Sequence, residues 1–233
     1  MWVLVPFSRP DYLQNVRENF DRQTMEGKKL CIVENGAAIG ACKQAGFEPD
    51  LLLTSEAHPS LARNAGLAAL RDLDAHFSCM DDDDFYGPEY QWEHFEHAKR
   101  GRVTGKMPHW VRFEAVGKLW LFNRERANRK VSWVQGPTIG GFARDVLDFP
   151  LKPIGEDVAF CRAHREAGGE VFNTSVGNFL YVRRSDEKSH AYRIGAVGFA
   201  DEHGPWFEEH PDDITRVFCD NPQLGARKAY NQI

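Results

Sequence analysis

Four carboxylates in a row, Asp81-Asp82-Asp83-Asp84, follow the apolar run His76-Phe77-Ser78-Cys79-Met80. Like charges held this close repel, so the cluster needs a compensating cation. Its hard oxygens suit Mg²⁺ or Mn²⁺, ions that keep few protein ligands and bridge phosphate oxygens instead. A solvated acidic turn is the plainer alternative. A calcium loop is excluded: Asp82, Asp84, Gly87 and Glu93 match EF-hand spacing, but Tyr86 and Pro88 stand where ligands belong and the preceding segment is strand-like. A second acidic pair, Glu156-Asp157, opens a helical pattern over 156–167, where a carboxylate also suits the helix dipole. The sequence contains no GxGxxG, Walker lysine loop, GxSxG elbow, CxxC or HExxH. Any bound nucleotide must use another geometry.

The elements that position these acids alternate in a βαβ rhythm. Strand-like runs at 2–6, 30–34, 51–54 and 76–80 are separated by helical patterns over Asp11–Gln23 and 60–72, the latter with Ser60 as a cap. Such a chain builds a parallel sheet whose ligands sit beyond the strands' C-terminal ends, where Asp81–Asp84 fall. After a helix expected at 88–100, the pattern turns to aromatic-rich strands at 110–113, 118–122, 131–134 and 139–143, the 156–167 helix, and strands at 170–173 and 178–183. These read as a mixed extension of the same sheet. His94 and His97, on the polar 88–100 helix, read as exposed.

A chain of 233 residues, 42% hydrophobic and 27% charged, suits one globular domain. Five cysteines without a CxxC pair read as reduced thiols, Cys31 and Cys79 in buried strands. No apolar run approaches the roughly 18 residues of a membrane helix, and Trp2–Pro6 is too short and lacks the basic start of a signal peptide, so a cytoplasmic protein is expected.

In order and spacing, VPFSRPDYLQNVRENFDRQ, LCIVENG, SLARNAGLAAL, CMDDDDFYGPEY, GPTIGGFARDVL and GEDVAFCRAHREAG resemble the large family of inverting GT-A glycosyltransferases over roughly residues 1–184. The resemblance implies an α/β, Rossmann-like GT-A domain over 1–193, a mostly parallel sheet with helices on both faces and a mixed C-terminal extension. Residues 1–100 would bind nucleotide and 101–193 the acceptor, with 194–233 a tail, lid or interface. It also implies a nucleotide diphosphate sugar as donor, with a UDP-sugar favoured, and Mn²⁺ or Mg²⁺ as cofactor.

By the same resemblance, Pro6, Phe7, Ser8 and Arg9 form the nucleotide-binding loop. Glu34 and Asn35 stand where an acidic residue, typically Asp, meets the base, with an ordinary Asn35-Gly36 turn as the alternative. Arg63 and Asn64 match a nucleotide-contacting segment, although Arg63 equally suits a helix neighbour. Asp81 and Asp83 match the Asp-x-Asp element, implying Asp83 as direct metal ligand and Asp81 as a ribose or metal-water contact, with Asp82 in the donor site. Asp157 matches the catalytic base and Glu156 joins it on the acceptor side. Gly140 and Gly141 match a small-residue turn lining the sugar, and Trp133 stacks on a sugar or packs in the core. His190 stands where some relatives supply a third metal ligand or a phosphate contact, with an ordinary surface or structural histidine as the alternative.

Although the net charge of −5 excludes a generic polyanion binder, residues 99–130 hold ten Lys/Arg against two acids, interleaved with Trp110, Phe113, Trp120 and Phe122. Lys99, Arg100 and Arg102 therefore raise a polyanionic acceptor such as a phospho-polymer, lipid phosphate or phage DNA with hydroxymethylated bases, against ordinary pairing with the acidic remainder. The rival functions are a non-catalytic nucleotide- or sugar-binding module and a nucleotidyltransferase.

Overall fold

The computed structural model describes residues 1–107, 109–114, 117–152 and 154–184 and the backbone of 207–210. His190, Cys219 and most of 194–233 lie outside the described residues. The first half follows the βαβ reading: β1 Trp2–Phe7, α1 Leu13–Arg22, β2 Lys29–Asn35, the short α2 Ala41–Gln44, β3 Leu51–Ser55, α3 Pro59–Asp72 and β4 His76–Cys79. Then come β5 Phe85–Tyr86, α4 Tyr90–Glu96, β6 Arg102–Gly105, β7 His109–Phe113, β8 Lys118–Phe122, β9 Arg129–Lys130 and β10 Gly140–Phe142. The remaining elements are α5 Glu156–Glu166, β11 Glu170–Asn173, β12 Phe179–Arg183 and β13 Phe207–His210.

The main sheet runs β3-β2-β1-β4-β10-β6-β11-β9, with β1 to β4 mutually parallel and β10 antiparallel between β4 and β6. Period-two alternation sorts its side chains to two faces. Leu4, Cys31 and Val33 pack with α3 and α5 through Ala62, Leu67, Leu70, Phe160 and Cys161. Val3, Val5, Leu30 and Ile32 pack with α1, α2 and α4 through Leu13, Val16, Cys42 and Tyr90. On the first face α3 comes so close that a Cβ at Gly66 would stand 2.2 Å from Leu4 Cδ1. Cys31, Cys42, Cys79 and Cys161 are buried free thiols.

The second half departs from the single extended sheet. β6, β9, β10 and β11 join the main sheet, whereas β13-β8-β7-β12-β5 form a second one. The aromatic-rich strands have a separate core of Trp110, Leu119, Leu121, Val176, Leu180 and Val182, and apolar area so buried favours its own layer. Residues 131–134 are not a strand, and the helix expected over 88–100 is confined to α4. Ser60 does not cap α3: His58 is the N-cap, its Nδ1 accepting from Ser60 N, while Ser60 Oγ donates to Pro150 O. His94 is fully buried, its Nδ1 2.7 Å from Thr104 Oγ1, and His97 is half-buried. The polar helix hides His94 because α4 lies against the sheet.

Candidate active site

The parallel strands β1, β2 and β4 end on one side of the sheet, and a cleft of about 750 Å³ opens there. Its lining brings together Pro6, Ser8, Arg9, Asn35, Arg63, Asp81–Asp84, Trp133, Glu156 and Asp157 from six separate stretches of chain. This is the position that an open α/β sheet reserves for ligands.

The acid cluster is held from several directions. Asp82 accepts the backbone N–H groups of Ser8 and Arg9 at 3.0 and 3.1 Å, and Arg9 also grips it through Nε and Nη2. Arg9 Nη1 reaches Asp83 Oδ2. Asp84 turns away from solvent, accepting the N–H of Val182 at 3.0 Å, and its carbonyl accepts from Asn15 and Asn19 of α1. Tyr86 Oη accepts the Asp81 N–H at 2.7 Å and donates to Pro137 O at 3.1 Å, tying the end of β4 to the 136–138 turn. Arg184 donates to Asp83 O. No site role was assigned from the sequence to Asn15, Asn19, Tyr86 or Arg184. For α1 the available signal was two asparagines four residues apart, one turn of helix, beside the apolar stripe of Leu13, Val16 and Phe20.

Burial pushes the Asp83 carboxyl up to about 6; Arg9 opposes this, and Asp82 and Asp81 add repulsion. Burial likewise raises Asp84 well above the carboxylate range, reinforced by Asp83 and Asp81. The cluster is therefore short of positive charge despite Arg9. All four line the cleft, but Asp82 and Asp84 accept from backbone N–H groups, whereas among the described residues Asp81 and Asp83 are held only by the guanidinium groups of Arg63 and Arg9. Among the described residues no three His, Cys, Asp or Glu side chains form a metal cage. The donor set fits an ion that takes one or two carboxylates from protein and the rest from a diphosphate.

Across the cleft, Gly155 holds the left-handed conformation at φ 72° and α5 begins with Glu156-Asp157. Asp157 Oδ2 accepts the Gly136 N–H at 3.1 Å and Oδ1 the Val158 N–H at 2.7 Å. Burial raises its pKa, with those two N–H groups opposing. Glu156 is also raised by burial, against the pull of Arg63. Arg63, 2% exposed, bridges the two sides: its Nη2 meets Asp81 at 2.8 Å and Nη1 meets Glu156 at 3.5 Å. Burial works against its charge, yet Asp81 chiefly, with Cys79 and Glu156, more than offsets it and raises its pKa.

Other expected residues are placed elsewhere. Phe7 is wholly buried in the core and does not line the cleft. Glu34 is turned from the base position, because its carboxylate accepts the Gly40 and Cys42 N–H groups at 2.7 Å each. Asn35 does line the cleft, its amide donating to Phe7 O. Asn64 clasps the backbone of Phe149 with both amide atoms instead of facing the cleft. Gly140 and Gly141 are buried in β10, where a Cβ would meet His94 and Phe77 O at one and Arg102 O at the other, and neither is among the residues lining the cleft.

Lys99, Arg100 and Arg102 lie around the start of β6, which runs parallel to β4, and so at the end of the sheet opposite the cleft. Arg100 is taken by Asp74 and Asp145, Arg102 by Glu170, and Lys106, from the same basic segment, by Glu93. The basic segment is to this extent paired with the acidic remainder. The cleft also recruits residues that no site assignment from the sequence included: His109 and Tyr181 from the second sheet, Gln135, Pro137, Ile154 and Val158, and Phe122, noted there only beside the basic segment.

No family model and no curated protein matches the chain. Among solved structures, residues 1–349 of S. aureus TarS align with 81% of this chain and 61% of that one at 16% identity and a TM-score of 0.55. TarS solved with UDP-GlcNAc aligns at 14% identity and 0.51, covering 79% of this chain and 58% of that one. The mannosyltransferase PcManGT from Pyrobaculum calidifontis, solved with GDP-Man and Mn²⁺, gives 12% and 0.51, with 78% and 56% covered. The chain thus spans less than two thirds of these proteins. What they share with it is the fold: mixed α/β with a large, mainly parallel sheet, of the GT-A glycosyltransferase type.

Proposed function

We propose that this chain is an inverting glycosyltransferase, of the hexosyltransferase class, that moves a sugar from a nucleotide diphosphate sugar to an acceptor hydroxyl. The observation carrying this reading is the convergence of Asp81 and Asp83 with Asp157 across one cleft at the carboxyl ends of parallel strands. The neighbours solved with UDP-GlcNAc and with GDP-Man and Mn²⁺ support it; a UDP-sugar is the favoured donor.

Residues 1–100 supply the donor side through Pro6, Ser8, Arg9, Asn35 and Arg63. Asp83, with Asp81, would hold Mg²⁺ or Mn²⁺. Bound there, the ion would supply Lewis-acid neutralisation of the departing diphosphate. Asp157 takes the proton of the acceptor hydroxyl as that oxygen bonds to the anomeric carbon from the face opposite the diphosphate. The bond from that carbon to the diphosphate oxygen breaks, its electron pair leaves with the nucleotide diphosphate, and configuration inverts. The N–H groups of Gly136 and Val158 orient the Asp157 carboxylate for this role.

The test is hydrolysis and transfer over a panel of nucleotide sugars with Mn²⁺, Mg²⁺ or EDTA, comparing Asp83→Ala and Asp157→Asn with the native chain. Metal-dependent release of one nucleotide diphosphate, lost in Asp83→Ala, is expected. Release of pyrophosphate would indicate a nucleotidyltransferase instead. Tight nucleotide binding with no release under any condition would leave a binding module.

A further inference from the structure

The cleft's charge and its rim define the acceptor class more narrowly than the sequence did. Six carboxylates line the cleft, Asp81–Asp84, Glu156 and Asp157, against the two guanidinium groups of Arg9 and Arg63. A phosphate-rich acceptor brought to Asp157 would meet Glu156 and Asp157 beside the donor's own diphosphate, and Lys99, Arg100 and Arg102 are at the other end of the sheet. The rim beside Asp157 is apolar. Of the eight large hydrophobic residues that stand exposed among the described residues, four fall between 147 and 158: Leu147 at 41%, Leu151 at 63%, Ile154 at 61% and Val158 at 47%. Ile154 and Val158 line the cleft itself, as do Trp133 and Phe122. Scattered exposed apolar residues are ordinary, but two in the lining of a cleft beside its carboxylate, joined there by Trp133 and Phe122, mark a binding surface.

We propose that the acceptor is an uncharged amphiphile, whose hydroxyl-bearing head reaches Asp157 while an adjoining apolar chain lies on Ile154, Val158 and Trp133. The inference takes the transfer reaction from the preceding reading, but the apolar subsite stands on its own lining. Val158 directly follows Asp157, and its N–H holds that carboxylate, so the apolar surface and the reacting oxygen are fixed relative to each other.

The experiment is calorimetric titration of the full chain, with UDP and Mn²⁺ present, with n-alkyl β-glucosides from butyl to octyl below their micelle concentrations. UDP binding is measured separately in the same buffer. The expected result is affinity rising two- to fourfold per added methylene, up to the value for full methylene burial. Ile154→Ser and Val158→Ser should flatten that dependence, and a change at the exposed Leu73 just after α3, Leu73→Ser, should keep it. The ratio between chain lengths does not respond to partial misfolding, which scales all ligands together. An oligonucleotide or polyphosphate should not displace octyl glucoside at low salt. A flat dependence in the native chain, or salt-sensitive displacement by either polyanion, overturns the proposal. UDP binding without a chain-length dependence would refute the acceptor class and leave the transferase reading intact; the converse result would retain the apolar subsite and refute the donor assignment.

Discussion

Arg63 joins the two halves of the candidate site, and its replacement by methionine tests whether that bridge organises the cleft. The side chain is 2% exposed and faces Asp81 at 2.8 and 3.1 Å and Glu156 at 3.5 Å. Removing one partner of a fully buried ion pair costs about 3–5 kcal/mol, because the other charge stays desolvated. Here the Asp81 and Glu156 side chains keep 25% and 20% of their exposure, and water recovers part of that cost. The expected loss is therefore about 2–3 kcal/mol at neutral pH. With a urea dependence near 3 kcal/mol per molar for a chain of this size, the midpoint falls by roughly 1 M. Arg63→Lys keeps a charge but not the planar fork, and should lose about half as much.

The pH dependence gives the sharper readout. Burial already raises Glu156 above its ordinary value of 4.5, with Arg63 opposing, so the variant raises it further. A carboxyl whose folded pKa lies above its unfolded one destabilises the fold when the pH is above both values, and that cost fades as the pH falls and the group is protonated. The gap between native chain and Arg63→Met should be widest at pH 7–8 and close towards about pH 4. A midpoint shift below roughly 0.3 M, or a gap that does not change with pH, would refute the bridge as an organising contact.

Lys106→Met should destabilise the chain by about 3–5 kcal/mol in the same urea assay, since it takes the Lys106 ammonium from Glu93, 3% exposed, whose other oxygen accepts from Ser175 and Asn178; adding Glu93→Leu should recover much of the loss. Gly140→Val should lower thermal stability by at least 1–3 kcal/mol, because a Cβ there stands 2.6 Å from His94 Nδ1 and 2.8 Å from Phe77 O; an unchanged melting temperature would contradict that packing. If Asp157 is the base, kcat/KM is lost as pH falls through its raised pKa, so the acid limb should lie above the usual aspartate value of about 4 and disappear with transfer itself in Asp157→Asn.

Local pattern was sufficient for the first half of the fold. The continuous apolar runs of β1 and β2 and the helical spacing of Leu13, Val16 and Phe20 depend only on neighbours along the chain, and they located β1 to β4 within a residue or two. The acids at the end of β4 and the start of α5 were legible for the same reason: each sits at a chain-local boundary. The division of the later strands between two sheets was not, because Trp110 and Leu119 read equally well in either until long-range partners are known. Nor could the sequence tell a carboxylate held by a guanidinium alone from one spent on backbone. Glu34 and Asp82 carry the same charge as Asp81, yet the N–H groups of Gly40 and Cys42 take the first, and those of Ser8 and Arg9 the second. Basic charge misled for a related reason. Arg100 and Lys106 are near in sequence to aromatic strands, but their carboxylate partners come from Asp74, Asp145 and Glu93. Residue type and local spacing determined which groups were available for chemistry; only tertiary structure decided which had already been neutralised by partners distant in the chain, and hence which remained for a ligand.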